Sequence, residues 1–139
     1  MIIGLISYLV FFLIVSLIFS ISVLGLNMQW GFTGLFNAGV AGFVAIGGYT
    51  MAILTGPSRE VVFGGFELPF IIGLIGAMVM AGLGALIVGL LTLKLNHEYL
   101  AVATFGIAVT IQLVCLNWEY LTGGTLGLIS IPNLSLIHI

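Results

Sequence analysis

Charge is almost missing from this chain: 139 residues include two Lys or Arg and four Asp or Glu, a charged fraction of 4%. Soluble domains carry about 25% charged residues, so a water-facing surface cannot be built from this composition. The only bases, Arg59 and Lys94, leave no basic footprint for nucleic acid and no polybasic patch for acidic lipid headgroups. Cysteine is limited to Cys115, which excludes a disulfide framework or a multi-cysteine zinc site within one chain. Set among Leu113, Val114 and Leu116, it reads as a small packed hydrophobe. Proline occurs three times against 20 glycines, the apolar fraction is 62% and the mean hydropathy is +1.41. Together these match a helical bundle in lipid.

What is present is a series of apolar runs. Ile2 to Leu26, Ala38 to Thr55, Pro69 to Leu93 and Leu100 to Leu116 come close to or exceed the roughly 20 residues a helix needs to cross about 30 Å of hydrocarbon. Barrel strands would alternate apolar and polar residues, and Val79 to Leu93 has no such alternation. The first run lacks a basic segment before it and outlasts a signal-peptide core, so it reads as a retained helix. The expected fold is all-α: a polytopic transmembrane bundle of about four spans, with a broken or re-entrant segment after the first.

That segment is Gly25 to Asn37, where amides and glycines interrupt the apolar pattern. Unpaired backbone in hydrocarbon costs several kcal/mol per group, so irregular chain at that depth must be buried in protein or face water. Two geometries fit, a loop just outside the bilayer and a break partway through it. Gly56 to Glu60 reads as a second loop, because Gly-Pro ends a helix, and Pro69 opens the third span. Lys94 to Tyr99 is the next break. Asn117-Trp118-Glu119-Tyr120 resembles a headgroup-level aromatic belt, and Leu121 to Gly127 reads as a flexible loop. Counting bases gives no orientation, since Lys94 and Arg59 tie.

Within the third span, Gly73, Ala77, Ala81, Ala85 and Gly89 place a small residue at every fourth position, a stripe suited to close helix packing. The second span repeats this in brief at Ala38 and Gly42, and at Ala41 and Ala45. No catalytic constellation emerges. His97 and His138 lie far apart in sequence, Glu119 belongs to the aromatic belt, and Gly123 to Gly127 lacks the Lys-Ser/Thr pair of a phosphate loop. No metal site and no cofactor are expected. Polar groups at membrane depth are the better candidates. Asn27, Gln29, Thr33 and Asn37 would line a translocation path if the broken segment faces solute, or Asn27 and Asn37 would simply cap two helices. Thr104, Thr110 and Gln112 lie in the fourth span, where Gln112 suits a bond to a neighbouring helix.

The run Leu24-Gly25-Leu26-Asn27-Met28-Gln29-Trp30-Gly31-Phe32-Thr33-Gly34-Leu35-Phe36-Asn37, followed by Ala45 to Thr50, resembles the LivM-type permeases of branched-chain amino-acid ABC importers. Leu91 to Leu95, Tyr99 to Gly106, Asn117 to Gly124, Gly127 and Ile131-Pro132 continue the likeness in order. The resemblance implies a plasma-membrane subunit that works with a homologous permease subunit, two cytoplasmic ATPase subunits and an extracytoplasmic solute-binding protein. The Leu93 to Tyr99 loop would then be cytoplasmic and the amino terminus outside. Asn96 and His97 stand where relatives often carry a further base, and Val40 where many have His. Members of the family are about twice as long, so residues 1–132 read as a partial permease domain, an amino-terminal half, and 133–139 as an atypical tail. Two other classes fit the same composition: a small assembly subunit, and an oligomeric channel or secondary carrier.

Overall fold

The computed structural model describes residues 2–58, 62–92, 94–129 and 131; Arg59, Glu60, Leu93, Pro132, His138 and the 133–139 tail lie outside them. Regular structure among the described residues is entirely helical: α1 (Ile2–Thr33), α2 (Val40–Thr55), α3 (Phe70–Thr92), α4 (His97–Asn117), a single turn α5 (Glu119–Thr122) and a 3-10 turn at Gly124–Leu126. Three segments, Gly4–Thr33, Phe70–Thr92 and Glu98–Asn117, are long and apolar enough to cross a bilayer. The 16 residues of α2 extend only about 24 Å at 1.5 Å per residue, short of a full crossing.

This short helix is the centre of the molecule. It packs against α3 along one side and against α4 along the other, while α3 and α4 touch each other less. The buried apolar core is correspondingly slight, consisting of Ala52, Ala77 and Leu100. In hydrocarbon there is no hydrophobic drive between helices, so association comes from close backbone approach and dispersion. Glycine and alanine make that approach. A Cβ on Gly42 would lie 3.2 Å from the Ala108 Cα of α4, and one on Gly76 would lie 2.5 Å from Leu54 Cδ1 of α2. Leucine, isoleucine and phenylalanine instead cover the outer faces, where Leu91 is 70% exposed and Phe19 66% exposed.

The first helix runs past its expected end at Leu26 to Thr33. Asn27 and Gln29 are therefore helical, and the irregular chain is confined to residues 34–39. Amide side chains do not break a helix if nothing removes its backbone hydrogen bonds. The terminator is Gly34, whose φ of +69° is left-handed and whose N–H donates to the Trp30 carbonyl at 2.8 Å, an αL cap that glycine adopts without steric cost. Trp30 and Phe36 close over it edge to face, with ring centroids 5.3 Å apart.

At the opposite end, the connection after α2 folds back on the helix it leaves. Gly65 N–H donates to the Ile53 carbonyl at 3.0 Å and Leu68 N–H to the Leu54 carbonyl at 3.0 Å, occupying acceptors that a helix C-terminus otherwise leaves open. Leu121 to Gly127, expected to be a flexible loop, is a closed cap instead. Thr122 is 3% exposed and its hydroxyl lies 2.5 Å from the Cys115 carbonyl and 2.7 Å from that of Trp118. Phe63 N–H bridges to the Tyr120 carbonyl at 2.7 Å, tying the cap to the connection after α2.

Candidate functional site

The 34–39 break opens a cleft of about 310 Å³ between the end of α1, the start of α2, the end of α3 and the start of α4. Its polar lining is Gln29, Asn37, Thr92 and Thr104, set among apolar walls that include Leu35, Val40, Phe43, Val88 and Leu100. Among the described residues, no Asp, Glu, Lys or Arg lines it, so it suits a solute with no net charge. Lys94 and Asn96, in the connection from α3 to α4, are exposed at the same end of the bundle.

Thr104 lies seven residues into α4, which places it about 10 Å, two turns, inside that polar end. It is the largest fully buried side chain among the described residues, at 2% exposed. The hydroxyl donates to the carbonyls of Leu100 at 2.9 Å and Ala101 at 3.1 Å, the back-bonding habit of Ser and Thr in helices. Its oxygen also accepts the Ala38 N–H at 3.1 Å, so the break is held to α4. Asn37 Oδ1 accepts the Gly39 N–H at 2.8 Å, an Asx turn that leads the chain into α2. Gly39 fits because a Cβ there would sit 3.1 Å from the Thr104 carbonyl oxygen. The N–H groups of Gly34, Leu35, Ala38 and Gly39 are thus paired within the protein, which lowers the cost of irregular chain next to lipid.

The four polar candidates divide. Gln29 and Asn37 line the cleft, whereas Asn27 and Thr33 do not. Asn27 is exposed on α1, two residues and therefore about 200° around the helix from Gln29, so it points away from the cleft and caps no helix end. Thr33 closes α1 instead, its hydroxyl donating to the Gln29 carbonyl at 2.6 Å and accepting the Leu35 N–H at 3.2 Å. The small stripe on α3 serves two purposes, packing against α2 and lining the cleft. Gly73 and Ala77 are buried and Ala81 half-buried; a Cβ on Gly73 would overlap the Thr55 methyl, and one on Gly47 would lie 3.7 Å from Ala81 Cβ. Further along, Ala85 and Gly89 form part of the cleft wall.

Sequence reasoning missed Thr92 and Gly39 as parts of this site. Thr92 is buried, with its hydroxyl turned to the Val88 carbonyl at 2.7 Å. The available signal was the spacing of Gly39 and Gly42, two small residues that let α2 approach α4. Thr110 also back-bonds, to the Gly106 carbonyl at 2.8 Å, and Gln112 is exposed on α4.

A family model described as "Branched-chain amino acid transport system / permease component" matches residues 8–136. The chain is 34% identical over 118 residues to the high-affinity branched-chain amino acid transport system permease protein LivM of Escherichia coli (strain K12), an alignment covering 85% of this chain and 26% of that protein. It is 35% identical over 118 residues to the protein of the same description from Salmonella typhimurium (strain LT2), with the same coverage of 85% and 26%. The match therefore spans about a quarter of the length of these curated relatives. No solved structure matches.

Proposed function

This chain belongs to the family of branched-chain amino acid transport system permease components, and we propose that its cleft forms part of the solute path of an ATP-driven importer of branched-chain or other hydrophobic amino acids. The observation that carries this reading is the placement of an uncharged cleft of about 310 Å³ at an interrupted helix pair, with Gln29, Asn37, Thr92 and Thr104 as its polar groups. A zwitterionic amino acid with an aliphatic side chain has no net charge and needs a few polar partners within apolar walls. Breaks in membrane helices supply such partners without leaving backbone bare to lipid. In this reading ATP hydrolysis falls to two cytoplasmic ATPase subunits. A homologous permease subunit completes the membrane path and an extracytoplasmic binding protein delivers the solute. The Lys94 end is cytoplasmic in this reading, the amino terminus is outside, and the membrane is the inner (plasma) membrane of a prokaryote.

Single cysteines test the path. In a Cys115→Ala background and an assembled transporter, Gln29→Cys and Asn37→Cys are expected to react with a membrane-impermeant thiol reagent, and added leucine to slow both. Asn27→Cys, on the far face of α1, is expected to stay unreactive. Protection of positions 29 and 37 with and without ATP would refute the path.

A further inference from the structure

We infer that Thr104 is a positioning residue: its hydroxyl oxygen is the latch that fixes the 34–39 break against α4 and so sets the shape of the cleft. A hydroxyl has one proton and two lone pairs. The Thr104 proton is committed to its own helix, at Leu100 and Ala101, which leaves only acceptor capacity facing outward. That capacity is matched by a backbone donor, the Ala38 N–H, at 3.1 Å. Val has nearly the same shape and no acceptor, so the pairing is chemical and not merely steric.

Three observations make this contact a point of control. The break begins at left-handed Gly34 and ends at Gly39, so glycines stand at both of its ends. The helix before it, α1, has no buried residue over Gly4–Thr33, so although Trp30 meets Phe36 locally, packing of α1 on the other helices does little to fix the break against them. Finally, the Asn37 side chain spans only two residues to Gly39, shaping the turn without tying it to another helix. The other bonds of the break run to α1 and α2, the helices it directly joins, so among the described residues the bond to Thr104 is the polar tie between the break and a helix remote in the chain.

The inference rests on the proposed path only for its consequence in transport; the latch itself is testable in the chain alone, reconstituted in lipid nanodiscs. With Cys115→Ala and a reporter cysteine at Leu35 in the cleft wall, Thr104→Val is expected to speed modification by a soluble thiol reagent by about fivefold to tenfold, the factor a net hydrogen bond commands. Thr104→Ser, which keeps the acceptor, is expected to hold the original rate. Ala38→Pro removes the donor while leaving Thr104 in place, and is expected to reproduce the faster rate; it also decides the matter if Thr104→Val does not fold. An unchanged rate in the folded variants lacking donor or acceptor, or equal acceleration by Thr104→Ser and Thr104→Val, would overturn the latch. Absence of amino-acid uptake by the assembled wild-type transporter would refute the proposed path while leaving these rates intact.

Discussion

Most helical serine and threonine hydroxyls among the described residues follow one rule, and the two that do more mark the places that matter. Ser20, Thr33, Thr50, Thr55, Thr92 and Thr110 each return their proton to the carbonyl four residues earlier, so a polar side chain needs nothing from lipid. Thr104 and Thr122 follow the rule and also join chain segments beyond that turn. The second of these holds the cap after α4, where Gly123 has a φ of +74° and a Cβ would overlap the Gly127 carbonyl. Gly123→Ala is accordingly expected to destabilise the folded chain by about 1–2 kcal/mol from left-handed strain alone, read as a lower thermal midpoint in detergent. Thr122→Val leaves the cap without its hydroxyl bonds and is expected to cost about 1–3 kcal/mol in the same measurement.

Helix by helix, the stabilising contacts lie on narrow faces of small residues. Ala81→Leu would drive a larger, branched side chain toward Gly47 of α2, whereas Gly82 is exposed with open space around it. Overpacking costs about 1–3 kcal/mol, so Ala81→Leu is expected to lower the thermal midpoint and Gly82→Leu to leave it nearly unchanged. Apolar run length made the existence and type of the four helices legible in the sequence, because crossing hydrocarbon constrains length and composition so tightly. The end of α1 was not legible in the same way. Asn27, Gln29 and Thr33 look like interruptions in a hydropathy pattern, yet their side chains leave the backbone ladder intact, and Gly34 is the residue that stops it. The Gly-rich stretch after α4 misled for a related reason: positive φ at Gly123, Gly124 and Gly127 serves a tight cap there, not freedom. At the cleft, residue chemistry pointed to Gln29 and Asn37, but which of four neighbouring polar groups face inward depends on helical phase, and phase follows from where the helix ends.

Taken whole, the molecule has a packed unit, α2 to α4, and a lone helix, α1, joined through the break. A protease site inserted after Gly34 is therefore expected to release α1 on cleavage while α2 to α4 keeps its helical circular dichroism in detergent; co-elution of the two pieces after cleavage would contradict that division. The connection after α2 has its own bearing on how the chain reaches the bilayer. Because α2 is too short to span alone, has its final carbonyls closed by amides that emerge from the ribosome a dozen residues later, and packs chiefly on the helix that follows them, its contacts are complete only once α3 has been made. The two are therefore expected to leave the translocon together, as one hairpin.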